Sequence, residues 1–226
     1  MTQEHLDSDR HLAVQREVTR ITLASVQGFA LAGSGAIREH GVTDRPTEDV
    51  DLFTASQDIA EFSAAVEAMT AQLQASGFIV DQTRRAPQYA RLHVATGDGL
   101  QLDVDLGVDW RQHDPVRLGV GPVLSLTDAV GSKVGALYSR AEARDYLDVD
   151  AIRQSGRFTD EQLVTAASER DPGFDIAMFS RQLAAAARLQ PAQVARYGVT
   201  ADQLEDIRAR SVEWAHTLQN QRNPVE

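Results

Sequence analysis

FALAGSGAIREHGVTDRPTEDVDLF, residues 29–53, is the stretch that decides the fold. It opens on Phe29-Ala30-Leu31-Ala32, an apolar run too short for a helix and suited to a buried strand. Gly33-Ser34-Gly35 then turns the chain, and Ala36 to His40 reads as one or two helical turns. Asp49-Val50-Asp51-Leu52-Phe53 alternates polar and apolar, the period of a half-buried strand. The order is therefore strand, Gly-rich turn, short helix, strand.

Working outward, apolar residues recur at helical spacing from about Leu12 to Val26. On the other side Ile59, Phe62, Val66, Met69 and Leu73 step by three and four, which predicts a helix with this row as its core face and Gly77 as its stop. Phe78-Ile79-Val80 begins a further strand. Tyr89 to Ala95 and Leu100 to Gly107 flank Thr96-Gly97-Asp98-Gly99, a hairpin signal. From Leu126 onward the pattern is helical, with breaks at Ser155-Gly156, Asp171-Pro172-Gly173, Gln190-Pro191 and Tyr197-Gly198. The expected fold class is α+β: a small mixed sheet flanked by helices over residues 1–120, followed by an all-helical half over 121–226.

Chemistry concentrates on the strands. Asp49 and Asp51 are two apart and so point to one face, and Asp103 and Asp105 repeat the arrangement. Like charges held that close are costly unless a cation neutralises them, and hard oxygen ligands suit Mg²⁺ or Mn²⁺. Alternating Asp is also common on a solvated outer sheet face, so either pair alone leaves both readings open. The context favours a metal: Gly33-Ser34 at a strand end lets amides and a hydroxyl approach a phosphate, and the acidic pair follows on the next strand. Such a layout fits a nucleoside triphosphate whose phosphates are bridged by metal ions.

Composition narrows the classes. Of 226 residues none is Cys, which removes disulfides, thiolate metal sites and Cys nucleophiles. The start MTQEHLDSDR is no signal peptide, and no run nears the roughly 18 apolar residues of a membrane span; both point to a cytoplasmic protein without a membrane partner. The formal net charge is −11, with −8 in residues 1–120 and −3 in 121–226, unlike the basic surface usual for nucleic-acid binding. Of 22 basic residues 21 are Arg, and the one lysine is Lys133. A compact ammonium follows a phosphate as a point charge, where a planar guanidinium fork is more restrictive.

Two motifs carry a family resemblance. Leu31-Ala32-Gly33-Ser34, a spacer over 35–48, and Asp49-Val50-Asp51 resembles the nucleotidyltransferase signature of the polymerase-β-like fold. Residues 125–152, SLTDAVGSKVGALYSRAEARDYLDVDAI, resemble the second half of the AbiEii toxin family, which includes the MenT-type toxins. There a Lys opens a helix, an Arg closes it and Arg-Asp-x-x-Asp follows, here Lys133, Arg140 and Arg144-Asp145-Tyr146-Leu147-Asp148.

The resemblance implies a metal-dependent transfer of a nucleoside monophosphate from an NTP, with pyrophosphate leaving. It makes the 3′ end of tRNA the expected acceptor and a cognate antitoxin the expected protein partner in a toxin–antitoxin system. By position, Gly33 and Ser34 would hold phosphates, Asp49 and Asp51 the metal (Mg²⁺ or Mn²⁺), Lys133 the triphosphate, and Asp145 would orient Lys133 or act as base. The third carboxylate is Asp103 or Asp105; Asp105, followed by Leu-Gly at the strand end, is preferred. Arg38 and Arg45 precede the acidic pair and would touch phosphates or pair with Glu39, Asp44 or Glu48. Arg84, Arg85, Tyr89 and Arg91 form a basic and aromatic patch suited to RNA or to a solvated strand edge. The six His show no metal-ligand spacing. Two other readings stand beside this one: a small-molecule, antibiotic-type nucleotidyltransferase, which the acidity favours, and a non-catalytic NTP-binding interaction module.

Overall fold

A computed structural model describes residues 3–222 of the chain. The described residues divide into two compact units, 3–40 with 46–126, and 41–45 with 127–222.

The first unit is a mixed sheet backed by helices. In chain order it holds α1 (Gln3–Ser25), β1 (Phe29–Leu31), α2 (Gly33–Glu39), β2 (Asp49–Thr54), α3 (Ile59–Ala75), β3 (Ile79–Ala86), β4 (Tyr89–Ala95), β5 (Gln101–Val108), β6 (Val116–Leu118) and β7 (Gly121–Val123). The seven strands lie in the order β3-β4-β5-β2-β1-β7-β6. β2 runs parallel to β5 and antiparallel to β1. Val50, Leu52, Ala90, Leu92, Val94, Leu102, Val104 and Leu106 are all buried on one face of the central strands, and α1 and α3 close the core with Val18, Leu23, Phe62, Val66, Met69 and Leu73.

Local chemistry explains the elements. α3 starts because the Asp58 carboxylate accepts from the amides of Ala60 and Glu61. It stops at Gly77, whose φ of +92° suits glycine, with the amides of Gly77 and Phe78 returning to the carbonyls of Gln74 and Leu73. The expected core row of this helix holds except at its first member. Ile59 is 55% exposed, because it lies in the opening turn. The loop between β4 and β5 closes through Thr96 N–H to Leu100 O at 2.9 Å and Gly99 N–H to Thr96 O at 3.0 Å.

The second unit is helical: α4 (Leu126–Ser139), α5 (Ala143–Gln154), α6 (Asp160–Arg170), α7 (Ile176–Ala184), α8 (Pro191–Val194) and α9 (Ala201–Arg222), with short 3₁₀ turns at Ala185–Arg188 and Ala195–Tyr197. α6 begins with Thr159 and Gln162 in a reciprocal capping box. α7 and α9 pack through Phe179, edge-on to Trp214 at 5.2 Å, and Phe174 in the preceding loop covers Phe179 at 5.2 Å. Gly131 lets α4 approach α6, since a Cβ there would lie 2.6 Å from the carbonyl oxygen of Ala166. Among the described residues no helix is long and apolar enough to cross a membrane.

Candidate active site

The parallel register of β2 with β5 sets Asp49 beside Asp103 and Asp51 beside Asp105. Because side chains alternate along a strand, all four carboxylates share the face opposite the Val50–Leu52 core. One oxygen from each of Asp49, Asp51 and Asp105 lies within 4.8 Å of the other two. Asp105 is buried, while Asp49 and Asp51 are half-buried. Three hard oxygen donors at this spacing match a divalent cation such as Mg²⁺ or Mn²⁺.

The Gly-rich turn meets the same cluster. Ala32 N–H donates to Asp51 O at 2.8 Å, tying the end of β1 to β2. Gly33 follows at φ +58°, and a Cβ on it would sit 1.8 Å from Asp51 Oδ2. Only glycine leaves room for that carboxylate. Ser34 is buried at the first turn of α2.

Asp105 is held from the neighbouring strand. Arg91, directly opposite it in the β4–β5 pairing, donates from Nε to Oδ1 at 2.7 Å and from Nη2 to Oδ2 at 2.6 Å. Tyr89 Oη donates to the same Oδ1 at 2.7 Å. Burial and then the hydrogen bond to Asp105 raise the Tyr89 phenol above its ordinary value, so it stays a donor. Asp103 pairs with His93 Nδ1 at 2.9 Å. The basic patch read from the sequence is thus divided: Arg91 and Tyr89 serve the carboxylates, whereas Arg85 donates to Ser63 Oγ on α3, the helix side of the sheet.

Lys133 belongs to a different cluster. Its Nζ lies 2.8 Å from Asp148 Oδ2, and Arg45 grips the same carboxylate through Nε at 2.8 Å and Nη2 at 3.0 Å. The Arg45 guanidinium stacks over Tyr197 with 4.8 Å to the ring centre. Burial alone would raise the Asp148 carboxyl, but the charges and hydrogen bonds of Lys133 and Arg45 outweigh it and hold it below the ordinary range.

Two expectations change here. Arg45 pairs with Asp148, a partner outside the expected set of Glu39, Asp44 and Glu48. The carboxylate that orients Lys133 is Asp148, not Asp145, whose oxygens are taken by Arg140 Nε and Nη2 at 2.9 and 2.8 Å and by the Glu142 amide. In α5 the step from 145 to 148 is about one turn, so the two acids occupy neighbouring places with different partners. Asp148 was visible as the last letter of Arg-Asp-x-x-Asp, but its partners come from α4 and the 41–45 loop, which no spacing reveals. Arg91 was visible as part of a basic patch, and only strand register shows that it faces Asp105.

Residues 22–221 match the sequence profile of the nucleotidyl transferase AbiEii toxin family, type IV TA system. The chain belongs to this AbiEii nucleotidyltransferase toxin family. The AbiEii fold is shared with MenT4, a nucleotidyltransferase toxin from Mycobacterium tuberculosis H37Rv, at a TM-score of 0.64 and 17% identity over 98% of this chain and 88% of that one. JHP933 from Helicobacter pylori gives a TM-score of 0.52 and 14% identity over 98% of this chain and 94% of that one. Identities this low establish the fold alone. No protein of curated function matches the sequence. The AbiEii chain is accordingly a nucleotidyltransferase of the toxin class.

Proposed function

We propose that the protein transfers a nucleoside monophosphate from an NTP to the 3′ end of tRNA, in a reaction dependent on Mg²⁺ or Mn²⁺, and that a cognate antitoxin neutralises it. The observation that carries the metal-dependent chemistry is the convergence of Asp49, Asp51 and Asp105 on one sheet face, with Gly33 kept bare against Asp51. The acceptor rests on the motif resemblance to the MenT-type toxins.

In this reading Asp49 and Asp51 hold the cation, with Asp105 the third carboxylate. A bound divalent ion supplies charge neutralisation for the triphosphate. The bond between the α-phosphorus and the oxygen bridging it to the β-phosphorus breaks and pyrophosphate leaves with that oxygen, the acceptor oxygen bonds to the α-phosphorus, and the hydroxyl proton leaves to solvent or a carboxylate. Gly33 lets backbone come close to the phosphates, and the Ser34 hydroxyl is placed to donate to one. Lys133 offers a point charge for the triphosphate, and Asp148 with Arg45 sets its position. Asp145 acts through packing, as the N-terminal clasp of α5 with Arg140.

The test incubates the protein with Mg²⁺, each labelled NTP in turn and total tRNA. Label is expected at the tRNA 3′ end, and is expected to vanish in Asp49→Ala. If no RNA is labelled with any NTP, the tRNA acceptor is wrong. The net charge of −11 supports one other reading, a cationic small molecule as acceptor; label moving to an aminoglycoside and not to RNA would establish it.

A further inference from the structure

A cavity of about 440 Å³ opens in the first unit at the start of β1, between the last turns of α1 and the β6–β7 hairpin. Two of its lining residues, Arg20 and Arg117, are arginines and none is acidic, although residues 1–120 carry a net charge of −8. Both arginines are exposed, and among the described residues neither meets a carboxylate. A third guanidinium reaches the same wall from the segment between β5 and β6. Arg111 Nη2 donates at 3.2 Å to the carbonyl of Gly28, a lining residue, and its enclosed Nη1 has no hydrogen-bond partner among the described residues. Leu23, Phe29 and Val120 give the lining a buried apolar part. The three residues of β1, about 10 Å of extended chain, separate this cavity from Gly33 and Ser34, so it lies outside the carboxylate site.

We propose that this cavity binds the phosphate of a nucleotide unit, supplied either by an RNA strand or by a free mononucleotide. It is a second anion site, away from the place of transfer, and it holds whichever acceptor is used there. The sign of the ligand follows from charge. The carbonyl end of α1 brings about half a negative charge to the wall, whereas the three guanidiniums bring three positive charges that do not titrate in proteins. An anion is therefore favoured, and the planar fork of arginine matches a phosphate with paired donors. The rest of the lining sets what the phosphate is attached to. The volume is in the range of a small organic ligand and exceeds what a bare phosphate fills. Leu23 and Ala24 belong to the last turn of α1, where carbonyls lack intrahelical donors and so can accept from sugar hydroxyls. The apolar part of the lining covers the sugar or base.

The experiment titrates the full chain in EDTA with AMP, with adenosine and with a fluorescein-labelled single-stranded RNA of eight nucleotides. Amide NMR shifts of Gly119 and Gly121 report the cavity, and anisotropy reports the RNA. AMP is expected to shift both amides and adenosine to leave them in place. The double variant Arg20→Ala, Arg117→Ala, in which both changes fall on exposed side chains, is expected to keep the wild-type melting temperature and to weaken AMP at least about tenfold. If that variant unfolds, Arg117→Gln alone is expected to weaken AMP about threefold. The RNA arm separates the two sources. RNA bound more than about tenfold tighter than AMP, with a salt slope that falls by about 1.4 in the double variant for two lost phosphate contacts, names the strand; AMP within tenfold of the RNA names the free nucleotide. The proposal is overturned if neither AMP nor RNA moves the two amides, if adenosine moves them as AMP does, or if the folded variants bind as the wild type does. In that last case Arg117 is only a charge that guards an edge strand. No transfer and no metal enters these titrations, so they stand or fall separately from the metal-dependent reading above.

Discussion

The two units use charge in opposite ways. On the sheet face of the first, carboxylates crowd together half-buried, and one guanidinium and one phenol restrain one of them. In the second, the acids are buried and each is gripped by cations: Asp148 is fully enclosed and holds both Lys133 and Arg45, Asp145 is enclosed under the more exposed Arg140, and Asp150 takes the half-buried Arg210 through two bonds of 2.7 Å. Three acids of α5 thus meet four cations, two of them on Asp148. An excess of like charge at a partly open face is a place for a ligand. A buried acid gripped by cations has a fixed geometry, because removing its partners would strand an ion.

The sharpest break in that contrast is removal of the acid that holds two of those cations. Asp148→Ala leaves Lys133 and Arg45 buried with their shared counter-charge gone, and breaking a buried pair in this manner costs about 3–5 kcal/mol. Urea unfolding is expected to show a loss of that size. A loss below about 1 kcal/mol would mean that the cluster rearranges freely and does not order the second unit. The face of the first unit is expected to respond differently. Gly33→Ala drives a methyl into Asp51 Oδ2 and holds a non-glycine residue at φ +58°, with a cost of about 1–3 kcal/mol. Here activity should fall much further than stability, by about a hundredfold. Equal labelling by Gly33→Ala and wild type would remove Gly33 from the site.

Periodicity made the frame legible before the structure. Asp49 to Phe53 alternates and is β2; Phe62, Val66, Met69 and Leu73 step at helical spacing and are the buried row of α3. β6 and β7 were missed because three residues each, with Gly121 and Pro122 among them, carry no period to read. The carboxylate face was legible for the same reason as β2: period two puts Asp49 with Asp51 and Asp103 with Asp105. What joins those pairs, the parallel register of β2 on β5, is long-range and leaves no local trace. The same holds for Arg45, whose nearest acids in sequence are Asp44 and Glu48, yet whose partner lies 103 residues on.

Acidity probes the buried cluster more gently. The Asp148 carboxyl titrates below its ordinary 3.8 in the folded protein. Its contribution to stability is therefore complete above that value and is lost as pH falls through the lower folded value. The melting temperature of the wild type is expected to be insensitive to this group from pH 8 to about pH 5 and to fall below about pH 4. Asp148→Asn, already uncharged, should be less stable throughout and should show a shallower acid limb. Parallel acid limbs in the two proteins would show that Lys133 and Arg45 do not hold Asp148 ionised.

The smallest expected effect separates the two faces of the sheet itself. Arg85 and Arg91 are six residues apart in one hairpin and carry the same guanidinium group, yet Arg85 turns to Ser63 on α3 and Arg91 to Asp105. If charge alone mattered, for instance as a general attraction for RNA phosphates, neutralising either would weaken acceptor binding alike, with a similar fall in the salt dependence of labelling. If strand direction matters, Arg85→Ala should leave stability, Mn²⁺ binding and labelling unchanged, while Arg91→Ala alters the metal response. A matching loss of labelling in both variants would return this hairpin to the role of a basic patch, and would make the identity of the face it points to irrelevant.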